Sequence, residues 1–133
     1  MNPDPRLSVV VCTYKRADLL IHSLAALAGQ NMPPTEFEII VVDNNSPDET
    51  RQVVEGFRQN HPERTVRYAL ETRQGLSHAR NRGFGEARAP FVAFIDDDAR
   101  AEPDWASRIL RHFSTVEPQP FCVGGRYLPW YET

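Results

Sequence analysis

Short apolar runs alternate along this chain with segments whose apolar residues recur three or four positions apart. Leu7-Ser8-Val9-Val10-Val11-Cys12 is rich in β-branched residues and is bounded by Pro5 and the polar Thr13-Tyr14-Lys15-Arg16, the pattern of a strand buried on both faces. A helix is expected next, because Leu20, Leu24, Leu27 and Ala28 fall on one face before Gly29 and Pro33-Pro34 supply a stop. Phe37 to Val42 repeats the buried-strand pattern. Ser46-Pro47-Asp48-Glu49 combines a capping box with proline at the first helical position, predicting a helix that buries Val53, Val54 and Phe57. Thr65 to Leu70 reads as a third strand and Leu76 to Ala87 as a helix carrying Gly83 and Gly85, which cost stability there unless another backbone must come close. Phe91-Val92-Ala93-Phe94-Ile95 predicts a fourth strand that runs straight into Asp96-Asp97-Asp98. Pro103 is expected to start a helix with Trp105, Ile109 and Phe113 on one face, and Phe121 to Gly124 a further strand.

Near-continuous apolar strands alternating with helices indicate a parallel α/β sheet with right-handed crossovers. In such sheets ligands bind beyond the carboxyl ends of the strands. Polar clusters occupy those ends here: Thr13-Tyr14-Lys15 after the first strand, Asp43-Asn44-Asn45 after the second and Asp96-Asp97-Asp98 after the fourth.

Composition narrows the function classes. A chain of 133 residues suits one core, and 41% hydrophobic with 25% charged residues is ordinary for a soluble globular protein. A formal charge of -3 supplies no positive face for displacing counterions, so nucleic acid is not an expected partner. Cys12 and Cys122 lie far apart, each in an apolar run, and read as buried thiols. The first residues lack a signal peptide's pattern and no apolar stretch approaches a bilayer span, so a cytoplasmic location is expected, with membrane association open to a longer parent.

Three consecutive carboxylates at a strand end are ionised at neutral pH and repel one another, and a divalent cation is the simplest offset. Mg²⁺ and similar hard ions often use one or two carboxylates, with water and a substrate phosphate completing the shell. The alternative is a solvated acidic turn. Asp43 heads the second outlet, placed to accept a donor N–H from a base ring, although Asp and Asn bond local backbone in many loops. Gly75-Leu76-Ser77-His78-Ala79-Arg80-Asn81 sets His78 and Arg80 near a helix start, where N–H groups and cationic side chains favour an anion such as a diphosphate. Arg80 pairing with an aspartate, and His78 as a surface residue, are the structural alternatives.

Four blocks in order, Ser8-Val9-Val10-Val11-Cys12-Thr13-Tyr14-Lys15-Arg16, Ile39-Ile40-Val41-Val42-Asp43-Asn44-Asn45-Ser46, Gly75 to Gly83 and Phe94-Ile95-Asp96-Asp97-Asp98 with Pro103 beyond, resemble the signature blocks of family 2 glycosyltransferases. The likeness extends from Leu7 to about Gly125. It implies the GT-A fold, a Rossmann-like mainly parallel sheet with helices on both faces, and a nucleotide-diphospho-sugar donor bound through Mn²⁺ or Mg²⁺. Thr13 and Tyr14 would line the nucleoside pocket, Asp43 would read the base, and Arg80 would lie near base or diphosphate. In the D-x-D motif Asp96 would reach the ribose or metal shell and Asp98 would coordinate the metal, with Asp97 at the variable middle position. The expected donor-binding set is thus Thr13, Tyr14, Arg16, Asp43, Asn45, His78, Arg80, Asp96 and Asp97, with Asp98 and Asp96 as metal ligands.

A UDP-sugar is the default donor because uridine is common in the family, and the acceptor is an unspecified glycan, lipid or small molecule. The reaction is expected to be inverting, which requires a base to deprotonate the acceptor hydroxyl. In the family that carboxylate lies in the second half of a longer catalytic domain, and neither Glu117 nor Glu132 has a recognisable context. The chain is accordingly expected to be a single donor-binding domain, truncated before the acceptor-binding half. Its apolar tail from Phe121 to Tyr131 is expected to drive self-association.

Three rivals stand beside this reading. A Mg-binding receiver domain would need an acidic pair after the first strand, where Cys12-Thr13-Tyr14 stands. Sugar-nucleotide pyrophosphorylases would show a glycine-rich basic loop there. A nucleotide-binding module without chemistry stays open because the base is missing. No P-loop or G-x-G-x-x-G is present.

Overall fold

The computed structural model describes residues 4–129, and within them strands and helices alternate. The order is β1 (Leu7–Thr13), α1 (Ala17–Ala28), β2 (Phe37–Asp43), α2 (Thr50–Asn60), β3 (Thr65–Leu70), α3 (Leu76–Glu86), β4 (Phe91–Asp96) and α4 (Trp105–Thr115). The strands form one parallel sheet in the order β3-β2-β1-β4. This is the parallel α/β sheet expected from the apolar runs, in the Rossmann-like form that the resemblance implies.

Because side chains alternate across a strand, each apolar run feeds two cores. Val9, Val11, Ile39 and Val41 face Leu20, Leu24 and Leu27 of α1, Val54 of α2 and Leu110 of α4. Val10, Ile40 and Val42 face the other way, toward Ala79 of α3. Fully burying each such aliphatic side chain contributes about 1.5–3 kcal/mol, so the sheet centre carries much of the stability. β1 lies between β2 and β4, and Leu7, Val9, Val10 and Val11 are fully buried.

Only one of the two glycines in α3 is a packing requirement. A Cβ at Gly83 would overlap Val10 Cγ1 and lie 3.2 Å from Val42 Cγ2, whereas one at Gly85 would meet nothing within 4 Å. Valine side chains, not another backbone, therefore demand the small residue.

Four expectations are corrected. The helix foreseen at Ser46-Pro47 begins at Thr50, because the Ser46 hydroxyl accepts the Lys15 N–H at 3.0 Å and its own N–H goes to Asp43 Oδ1 at 2.8 Å. Asp48 takes over the work at the helix entry, accepting both the N–H and the hydroxyl of Thr50. Likewise α4 starts at Trp105, with Pro103 in the preceding turn, where the Trp105 N–H bonds the Glu102 carbonyl. The strand expected over Phe121 to Gly124 does not form. Pro118 and Pro120 offer no N–H for a ladder, and no described strand lies beside the segment. Phe121 is wholly exposed, as is most of Tyr127, and Cys122 is exposed where burial was expected. Trp130 and Tyr131 lie outside the described residues.

At the amino end of the sheet Glu38, 1% exposed, accepts from Ser8 Oγ at 2.7 Å, from Arg67 Nε at 3.0 Å and Nη2 at 3.2 Å, and from the Arg88 N–H at 2.9 Å. Burial alone would raise this carboxyl, but the bonds from Arg67, Ser8 and Arg88 more than offset it and hold it below the usual glutamate range. Arg67 also bonds Glu86, tying the end of α3 to β3.

Two stability tests follow from this packing. Gly83→Ala should destabilise by about 1–3 kcal/mol through overpacking, while Gly85→Ala should be neutral or stabilise by up to about 1 kcal/mol, as denaturant melts will show. Glu38→Gln should cost about 3 kcal/mol at neutral pH by removing the buried carboxylate from Arg67 and leaving it only Glu86. A carboxyl lowered in the folded state stabilises above its unfolded value and loses that contribution as pH falls through the folded one. The wild type should therefore weaken as pH drops below the ordinary glutamate value of 4.5, and Glu38→Gln should show a flatter acid limb in urea titrations.

Candidate functional site

Parallel register sets the strand ends level: Thr13 pairs with Asp43 and Cys12 with Asp96. Beyond them opens a pocket of about 490 Å³. Its wall comes from Cys12 and Thr13 at the end of β1, Tyr14 and Arg16 beyond it, Asn44 after β2, Gln74 to Leu76 with Ala79 and Arg80 at the start of α3, and Asp96-Asp97-Asp98.

The three aspartates are not equivalent. Asp97 points inward at 5% exposure, accepting the Thr13 hydroxyl at 2.9 Å and Arg16 Nη1 at 3.3 Å. Its neighbours Asp96 and Asp98 are exposed at the pocket. Burial pushes the Asp97 carboxyl above its ordinary value despite the bonds from Thr13 and Arg16, and the Asp98 charge adds to the rise. Arg16 Nη1 also lies 3.4 Å from Asp98 Oδ2, so one guanidinium nitrogen bridges two members of the cluster. The turn is anchored from behind, where the Asp96 carbonyl accepts the Ala99 N–H and the Ser23 hydroxyl of α1.

Asp43 is 2% exposed and does not line the pocket wall. Its Oδ1 accepts the Ser46 N–H and its Oδ2 accepts the Tyr68 hydroxyl at 2.6 Å. Tyr68 is raised above the usual phenol range, first by burial and then by this carboxylate. Asn45, exposed with φ 64°, and the exposed His78 also stand outside the wall. Arg80 lines it and makes no ion pair among the described residues, so the alternative of an Arg80–aspartate pair does not form. Cys12, half-buried, has its thiol pushed up to about 11 by burial, with Arg80 pulling it down and Asp96 and Asp97 pushing it up. It packs as an inert wall residue.

The sequence reading passed over Asn44. Its Nδ2 donates to the carbonyls of Glu71 at 2.9 Å and Arg73 at 2.7 Å, and its Oδ1 accepts the Gly75 N–H at 3.0 Å. The Asn44 N–H bonds the Thr13 carbonyl, and its own carbonyl accepts from Gln74. The side chain thus joins the segment after β3 to the start of α3, while the Asn44 backbone N–H ties this junction to the end of β1. Gly75 turns the chain there at φ 133°, a conformation that side chains disfavour. Asn in a row of polar loop residues gave no signal that this one faces inward.

Among the described residues no group of three His, Cys, Asp or Glu side chains forms a metal cage. The exposed pair Asp96 and Asp98 on one pocket suits instead a hard divalent ion that draws its remaining ligands from water and phosphate oxygens.

This arrangement of strand ends has close relatives. The model of glycosyl transferase family 2 matches residues 8–127, and the chain belongs to that family. Validoxylamine A glucosyltransferase of Streptomyces hygroscopicus subsp. limoneus is 34% identical over 92% of this chain and 27% of its own length. The structure of residues 1–349 of TarS, the Staphylococcus aureus poly(ribitol-phosphate) beta-N-acetylglucosaminyltransferase, superposes with a TM-score of 0.75 at 30% identity, covering 82% of this chain and 32% of that one. Mannosyltransferase PcManGT from Pyrobaculum calidifontis, solved with GDP-Man and Mn²⁺, gives 0.71 at 33% identity over 77% of this chain and 30% of its own. The chain thus spans about a third of the length of these relatives. Among the described residues no helix is long and apolar enough to cross a membrane.

Asn44→Ala should leave two carbonyls and the Gly75 N–H without their partner, at a cost of about 2–3 kcal/mol. Hydrogen exchange should accelerate across residues 71–76 and stay unchanged in α4. Uniform acceleration would show that Asn44 stabilises the fold as a whole and not this wall.

Proposed function

We propose that this chain is the donor-binding half of an inverting glycosyltransferase that takes a nucleotide-diphospho-sugar with Mn²⁺ or Mg²⁺. The observation that carries the reading is the sharing of one pocket by two exposed carboxylates, Asp96 and Asp98, and by Arg80 in the first turns of α3, unpaired among the described residues. A bare anion would be repelled by the carboxylates and a bare cation by Arg80. A diphosphate with its metal satisfies both. When bound, the metal would stabilise charge on the leaving diphosphate.

Asp98 and Asp96 would hold the metal, and Arg80 with the N-terminus of α3 would hold phosphate oxygens. Tyr14 would flank the nucleoside. Thr13 and Asp97 support this set from beneath through their mutual hydrogen bond. Asp43 would read the base through a lone pair left by Ser46 and Tyr68, since each carboxylate oxygen can accept twice. UDP remains the default base: TarS has been solved with UDP-GlcNAc, whereas PcManGT has been solved with GDP-Man.

Glu117 does not line the pocket, and Glu132 lies outside the described residues. We therefore place the acceptor-activating base in an acceptor-binding half carried by a longer parent. A second reading is a module that binds donor without turnover. A donor-turnover assay with the longer parent separates the two.

Calorimetry with UDP, GDP and dTDP in Mn²⁺ tests the reading. One diphosphate should bind, EDTA or Asp98→Ala should weaken it at least tenfold, and Asp43→Ala should weaken the nucleotide far more than pyrophosphate. Equal affinity with and without metal would reject the metal-dependent site.

A further inference from the structure

The acidic turn already holds a cation, and it is part of the chain. Arg16 Nη1 lies 3.3 Å from Asp97 Oδ1 and 3.4 Å from Asp98 Oδ2. Both contacts are long for charge-assisted bonds, and the Arg16 and Asp98 side chains are 53% and 52% exposed. Such a pair is held weakly and exchanges partners easily. The Asp97 side of the bridge is different, because that carboxylate is buried and fixed by Thr13. Arg16 is thus tethered at one carboxylate and loose at the other, in a pocket that also offers the anion-favouring start of α3.

We propose that Arg16 is the resident counter-cation of this turn, yielding Asp98 to the divalent metal and turning to the diphosphate when donor binds. The inference rests on the donor-site reading above and adds an order to it. Metal alone meets an Asp98 already neutralised by Arg16, so it binds poorly. Diphosphate supplies Arg16 with another partner and frees Asp98, so nucleotide and metal each improve binding of the other. The backbone of Arg16 is held separately, its carbonyl accepting the Leu19 and Leu20 N–H groups at the head of α1. Changing the side chain therefore leaves the helix start in place.

The test compares wild type, Arg16→Gln and Arg16→Lys by electron paramagnetic resonance with MnCl₂ alone, then by calorimetry with UDP and GDP in saturating Mn²⁺. Without nucleotide, Arg16→Gln should bind Mn²⁺ about fivefold more tightly than wild type, the removal of one competing positive charge, while Arg16→Lys stays within about twofold. With Mn²⁺ present, Arg16→Gln should bind the preferred diphosphate about tenfold more weakly. Structural damage would weaken both ligands, whereas loss of a cation that competes with metal at Asp98 and serves the diphosphate moves them in opposite directions. Unchanged or weaker Mn²⁺ affinity in Arg16→Gln overturns the inference while Mn²⁺-dependent nucleotide binding by wild type upholds the donor site. Absence of such binding by wild type overturns the donor site and this inference with it.

Discussion

Everything at the candidate site depends on the parallel register of β1 with the strands on either side of it. Leu7 pairs with Phe37 on one side and Phe91 on the other, so all three strands leave the sheet at one level. A shift by one residue would turn Val9 and Val11 into the α3 face and carry Thr13 away from Asp97. The register is fixed by packing, since Val10 meets α3 at the one place where Gly83 leaves room. The same contact sets how closely α3 lies on the sheet, and hence where Arg80 stands relative to the aspartates. Core geometry and site geometry are one constraint.

That constraint explains how three adjacent carboxylates can coexist. Had all three faced solvent, their repulsion would have been screened but none would have been fixed in direction. Burying Asp97 costs desolvation, visible in its raised carboxyl, and the Thr13 hydroxyl and Arg16 offset part of it. In return the turn is pinned, and Asp96 and Asp98 are held outward on one pocket. The middle aspartate is therefore the one spent on holding the turn, and its neighbours are left exposed at the pocket.

Much of this was legible in the sequence for definite reasons. The strands read clearly because doubly buried strands are continuous apolar runs, and β1 and β2 are buried almost throughout. The likeness in four ordered blocks foretold the family and the clustering of Thr13, Arg80 and the aspartates. What escaped was whatever depends on which way a polar side chain turns. Ser46 carried the signature of a helix cap, yet its hydroxyl serves the Lys15 N–H because the β1 and β2 loops meet there. Asn44 looked like turn chemistry and is the tie between four segments. Phe121 to Gly124 had the composition of a strand but no neighbour to pair with, and pairing is not written in a local pattern.

The two ends of the sheet show why function sits at one and not the other. At the amino end the buried charge is spent: Glu38 accepts four hydrogen bonds, and Arg67 is shared between it and Glu86. Such a network rigidifies the fold and leaves nothing to offer a ligand. At the carboxyl end the polar groups that shape the wall, Asn44, Thr13 and Asp97, are equally well satisfied, but Asp96, Asp98 and Arg80 remain exposed with weak or no pairing. Asp96 and Asp98 repel one another on this wall until a cation offsets them, and Arg80 lines the same pocket with the opposite charge. A cation at the carboxylates and an anion at Arg80 are what the proposed metal-bound diphosphate would supply together.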